Sequence, residues 1–97
     1  MGKLEGKVAI ITGGGKGIGF GLAKAFAKEG ANLTITGRTM SRLEAAKEKL
    51  EAEYGVKVLP ITADGADEAS VANVVKQTVE TFGHIDTVVN NAQVSKS

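Results

Sequence analysis

Six of the ten residues from Thr12 to Gly21 are glycine, in the order Thr12-Gly13-Gly14-Gly15-Lys16-Gly17-Ile18-Gly19-Phe20-Gly21. The chemistry such a stretch offers is anion binding. Where a parallel strand turns into a helix, the first backbone N–H groups are unpaired and the helix dipole is positive, and glycine lets a phosphate come close. The spacing decides which phosphate. A Walker loop needs Ser or Thr after Gly-Lys, whereas Gly17 follows Lys16. The G-x-G-x-x-G fingerprint fails in the frames that begin at Gly13, Gly15 and Gly17, its last glycine falling on Ile18, Phe20 or Leu22. The spacing T-G-x-x-x-G-x-G fits through Thr12, Gly13, Gly17 and Gly19. A second cluster bears on the same question. About 20 residues after its glycines, a dinucleotide fold that prefers NAD carries an acid for the ribose 2′-hydroxyl. Here Thr36-Gly37-Arg38-Thr39 puts glycine at that place and a guanidinium beside it. Arg38, with a planar fork that matches phosphate, and Lys16, a point charge in the loop, are expected to favour NADP over NAD. Two solvated charges are the plain alternative.

The elements that would hold these residues are written in the hydrophobic pattern. Lys7 to Thr12 is an apolar, β-rich run without alternation, as in a parallel strand covered on both faces. Ile18, Leu22, Ala25 and Phe26 recur at helical spacing up to Gly30, and a second strand runs from Asn32 to Thr36. Ser41 with Glu44 offers a capping box for a helix whose face is Leu43, Ala46, Leu50 and Tyr54, ended by Gly55. A third strand is expected over Val56 to Thr62. Asp67 can cap a third helix with the stripe Val71, Val75, Val79 and Phe82, and Ile85 to Asn90 supplies a fourth strand. Strict alternation of strand and helix predicts an α/β, Rossmann-like doubly wound parallel sheet. In that fold the four strands would lie in the order 3-2-1-4, with the fourth at an edge where the fold normally continues.

The match at Thr12, Gly13, Gly17 and Gly19 resembles the short-chain dehydrogenase/reductase family, and the resemblance extends over the whole chain. Leu4-Glu5-Gly6-Lys7-Val8-Ala9 is similar to the family's approach to strand one, and Phe82-Gly83-His84-Ile85-Asp86 leads to Asn90-Asn91-Ala92. The family's Asn-Asn-Ala-Gly motif departs at Gln93, which stands where the glycine would be. The resemblance implies a cofactor site of Gly13, Gly15, Lys16, Gly17, Ile18 and Gly19 in the loop and Arg38 after strand two. It implies that Asp64 accepts from the adenine amino group, Asp64 being otherwise a turn or capping residue. Asn91 and Ala92 are implied ribose contacts, whereas Asn90 is expected to tie strand four to neighbouring backbone. The catalytic apparatus that the resemblance implies, a Tyr-x-x-x-Lys pair and a serine, is absent: Tyr54 has Val58 four residues on, and Ser95 and Lys96 follow strand four too closely. No catalytic and no metal-binding residue is assigned, so the chain alone is expected to turn over no carbonyl or alcohol.

Composition narrows the classes further. The chain has 97 residues, net charge +1 and no cysteine. It therefore offers no field for nucleic acid, no disulfide framework and no thiol nucleophile. Val8 to Ile11 is too short for a signal core or a membrane span, which leads to the expectation of a cytoplasmic chain. One partial NAD(P)-binding domain over residues 1–97, cut short after strand four, is expected. Its parent would be an NADP-linked ketone or alcohol oxidoreductase. A free-standing nucleotide-binding or regulatory module, and an interaction fragment without ligand, are the competing readings. The exposed edge of strand four is expected to drive self-association or pairing with a missing C-terminal portion.

Overall fold

A computed structural model describes residues 2–15, 17–63 and 68–91. Along the chain the elements are β1 (Val8–Thr12), α1 (Gly17–Lys28), β2 (Asn32–Gly37), α2 (Met40–Tyr54), β3 (Val58–Thr62), α3 (Glu68–Phe82) and β4 (Thr87–Val89). The four strands form one parallel sheet in the order β3-β2-β1-β4. Both the alternation and the strand order agree with the expectation. Two strands are shorter than their apolar runs, β3 beginning at Val58 and β4 covering only Thr87 to Val89.

Because side chains alternate along a strand, each strand contributes to two cores. Ala9 and Ile11 of β1, Leu33 and Ile35 of β2 and Val58 of β3 face α1 and α2 in a cluster that also holds Ala23, Ala27, Leu43, Ala46 and Leu50. On the opposite face Ile10, Ile61 and Val74 form a smaller core under α3. The stripe of α2 is as expected, and its end is closed by Gly55 in the left-handed region at φ 74. The capping box is not formed: Thr39 is the N-cap, without a side-chain bond, and Ser41 lies inside the helix.

The other two stripes face elsewhere than the pattern suggests. In α1 the buried positions are Gly19, Ala23 and Ala27, while Ile18 is 77% exposed. Small residues on that line let the helix axis come close to the sheet, and Phe20, Leu22 and Phe26 pack around the flanks. In α3 Val74 and Thr78 are buried, whereas Val71, Val75 and Val79 are exposed. The threonine is tolerated there because its hydroxyl pairs with Thr34 Oγ1 at 2.8 Å and donates to the Val74 carbonyl at 2.7 Å. A buried hydroxyl with partners loses little by leaving water. Asp67, the expected cap of α3, lies outside the described residues.

β4 is fastened to β1 at its amino end. The Val8 N–H donates to Asp86 Oδ2 at 2.8 Å, the Asp86 N–H to the Val8 carbonyl at 2.8 Å, and His84 Nε2 stands 2.9 Å from Asp86 Oδ2. The Val8 N–H, and secondarily positive charge on His84 and Lys7, hold the Asp86 carboxyl below its ordinary pKa against a smaller opposing effect of desolvation. A depressed carboxyl pKa stabilises the fold fully above the ordinary carboxylate range, and that contribution disappears as acid protonates it. Asp86→Asn should therefore melt below the wild type at pH 7, and the gap should close as the pH falls below about 4. Thermal melts across pH 3 to 7 check this; a gap of constant size would contradict the charge-based account.

Candidate functional site

All crossovers run one way until β3, after which α3 carries the chain back past β2 and β1 to β4. The strand order thus reverses between β1 and β4, and a crevice at the carboxyl ends of these strands is where open α/β sheets take ligands. The glycine loop follows β1 there, Arg38 follows β2, and Asn90 and Asn91 follow β4.

The loop glycines divide by task. Gly14 serves the fold: its N–H donates to the Thr36 carbonyl at 3.0 Å, and a Cβ there would stand 2.8 Å from the Ile35 side chain. Gly19 serves close approach. A Cβ on it would collide with the Gly13 carbonyl and stand 2.9 Å from Asn91 Nδ2, so α1 can begin against the loop only with glycine at this place. Gly17, at φ 61, opens the helix in a conformation that side chains resist, although the space around it is open and nothing lies within 4 Å of where a Cβ would stand. Gly13 also has positive φ, at 71. Ile18, exposed beside the loop, is an apolar surface at the mouth of the crevice instead of a core residue.

Thr12 binds the two sides together. Its hydroxyl oxygen accepts the Asn91 N–H at 2.8 Å and lies 3.2 Å from Asn90 Oδ1, to which it can donate. The Asn90 side chain is thus tied to the Thr12 side chain, in place of the expected tie to backbone. The Asn91 side chain reaches the start of α1, as its proximity to Gly19 records. The carboxyl ends of β2 and β3 are joined by the Ala63 N–H, which donates to the Gly37 carbonyl at 2.9 Å. Arg38 is exposed and makes no ion pair among the described residues.

The structure therefore brings Gly13, Gly15, Gly17, Ile18, Gly19, Arg38 and Asn91 to one end of the sheet. Lys16, Asp64 and Ala92 lie outside the described residues. One residue with a bearing on the site escaped the sequence reading. A Cβ on Gly15 would stand 3.6 Å from the Cβ of Arg42, in the first turn of α2. Its signal was a basic residue in a helical first turn that holds no acid. A cavity of about 240 Å³ lies at the other, amino end of the strands, against Val8, Phe26 and Asp86, away from the loop. Among the described residues no group of His, Cys, Asp and Glu could hold a metal ion, and no helix is long and apolar enough to cross a membrane.

A parallel sheet in the order 3-2-1-4, a T-G-x-x-x-G-x-G turn and an Asn-Asn pair after β4 define a dinucleotide-binding α/β class. Residues 7–97 match the family model for short chain dehydrogenases, and the chain belongs to that family. It is 53% identical to a 12alpha-hydroxysteroid dehydrogenase of a Clostridium species, over all of this chain and 40% of that protein. Among solved structures it resembles L-sorbose reductase from Gluconobacter frateurii complexed with NADPH and L-sorbose, at 42% identity and TM-score 0.91, covering 99% of this chain and 36% of that one. An alcohol dehydrogenase from the archaeon Thermococcus sibiricus, complexed with 5-hydroxy-NADP, aligns at 39% identity and TM-score 0.80 over 84% of this chain and 35% of that one. The chain thus spans 40% or less of the length of these relatives.

Proposed function

We propose that this chain is the cofactor-holding portion of a cytoplasmic, NADP-linked ketone or alcohol oxidoreductase. The observation that carries the reading is the end of β2. Gly37 stands where an NAD-preferring fold carries its acid, and Arg38 beside it is exposed and makes no ion pair among the described residues. The NADPH and 5-hydroxy-NADP held by the two structural relatives support the same choice.

The residues present fit such a group, because Gly13 and Gly17, both at positive φ and with open space at Gly17, leave the turn from β1 into α1 without side chains over its backbone. Gly13, Gly15, Gly17 and Gly19 would leave backbone accessible to the pyrophosphate, with Ile18 as apolar wall. Arg38 and Lys16 would hold the 2′-phosphate, Asp64 the adenine amino group, and Asn91 with Ala92 the ribose. Bound NADPH supplies the hydride. What these residues contribute is binding and orientation; none of them is given a proton-transfer role. Beyond the cofactor, the outer edge of β4, which has no partner among the described residues, and the exposed valines of α3 support self-association or pairing with further chain.

A hydrogen bond to a charged group contributes roughly 1.5 to 3 kcal/mol, so Arg38→Ala should weaken NADPH binding by about ten- to a hundredfold and leave NADH nearly unchanged. Calorimetric titration of both cofactors decides it. Equal losses for the two would remove the assignment of Arg38 to the phosphate.

A further inference from the structure

We infer that Arg42 is a second guanidinium for the 2′-phosphate of the cofactor, acting beside Arg38 and setting the preference for the phosphorylated form. The inference rests on the NADP reading above. Three observations on α2 carry it.

The first is position. The Cβ of Arg42 would be 3.6 Å, and its carbonyl carbon 3.7 Å, from a Cβ on Gly15. The root of the side chain therefore borders the glycine loop, and Leu43 behind it packs toward both Gly15 and Gly37. Arg42 thus sits between the loop and the end of β2, the two segments assigned to phosphate. It is exposed, so its long stem leaves the guanidinium free to turn toward an anion.

The second is the absence of a local counter-charge. At the three- and four-residue spacings where helical side chains meet, Arg42 has Arg38, Thr39, Ala45 and Ala46. The first turn of α2 contains no acid, and Arg42 makes no ion pair among the described residues. The same helix does pair its charges elsewhere, Lys47 Nζ standing 3.0 Å from Glu51 Oε1.

The third is cost. A cation in the first turn opposes the positive end of the helix dipole, and Arg38 four residues earlier adds a like charge. Helix stability alone would favour Asp or Glu here. A residue that breaks the local rule without any compensating contact is accounted for by an anion that arrives from outside. A phosphate monoester, with its several acceptor oxygens, can take both planar forks at once.

The test uses adenosine 2′,5′-bisphosphate and AMP, which differ only in the 2′-phosphate carried by the former. Arg42→Ala should weaken the bisphosphate by about fivefold or more and AMP by less than about twofold, and Arg42→Lys should fall between wild type and alanine. Arg42→Gln keeps most of the stem and removes the charge, so a loss confined to the bisphosphate in this variant, at a melting temperature no lower than that of the wild type, separates charge from packing. Arg42 variants that bind both ligands as the wild type does, or that lose both equally, would overturn the inference while leaving Arg38 in place. A wild type that binds the two ligands equally would overturn the NADP reading itself, and the role of Arg42 with it.

Discussion

Gly19→Ala is expected to unfold or severely destabilise the amino end of α1 and to abolish dinucleotide binding. The added methyl group points at the Gly13 carbonyl and the Asn91 side chain, and the carbonyl belongs to backbone that cannot rotate away. Overpacking a filled site costs about 1 to 3 kcal/mol, occasionally more, and contact with backbone puts this substitution at the upper end. For a domain of this size, about 3 kcal/mol corresponds to a melting temperature lower by roughly 12 to 24 °C. Gly21→Ala is the internal control. It lies on the same helix with nothing within 4 Å of its Cβ direction, so it should stabilise by about 0.5 to 1 kcal/mol through helix propensity alone. Thermal melts and cofactor titrations of both variants check the contrast. Similar behaviour of the two would mean that α1 does not begin against the loop as described.

The second large effect concerns surface. Val88 is 57% exposed and, being in register with Ile10, lies on the sheet face that α3 covers. Val71, Val75 and Val79 are exposed along α3. Apolar side chains beside a strand edge that has no partner among the described residues make a surface that associates in water. The 97-residue polypeptide in isolation is therefore expected to form concentration-dependent assemblies at micromolar levels and above. Val75→Lys combined with Val88→Lys should shift it toward monomer. Light scattering across a wide concentration range is the measurement. A sharply melting wild-type monomer throughout, with protected amides along Val88 to Asn90, would refute the association.

Much of the architecture could be read from residue order because β-rich runs and glycines punctuate it. Thr12-Gly13 and Gly37-Arg38 end β1 and β2 as expected, and Leu43, Ala46 and Leu50 point inward as their spacing says. What escaped the reading was the depth at which a helix packs. Hydrophobic spacing ranks large residues first, yet in α1 contact with the sheet is made by Gly19, Ala23 and Ala27, and the bulk of Ile18 is pushed outward. In α3 a threonine took a buried place because Thr34, on a strand 44 residues earlier, supplies its hydroxyl with a partner. Such a pairing has no trace in local pattern. Arg42 was missed for the same reason: its meaning lies in its nearness to Gly15, far away in the chain.

The fastening of β4 to β1 also imposes an order of assembly. The chain can close β1 on β2 through one short crossover, but the bond from Val8 to Asp86 spans 78 residues and that from Asn91 to Thr12 spans 79. On a ribosome, the first strand made therefore keeps one edge open until β4 has emerged. Loop closure over such a span is entropically demanding and late, so the three-stranded part of the sheet built from β1, β2 and β3 must persist without β4. During that interval the bonds from Val8 and Thr12 across to the β4 side are still to be made, and the crevice that would receive a phosphate has only one wall. On the cofactor reading proposed above, ligand competence would wait for the segment around Asn91 to be translated.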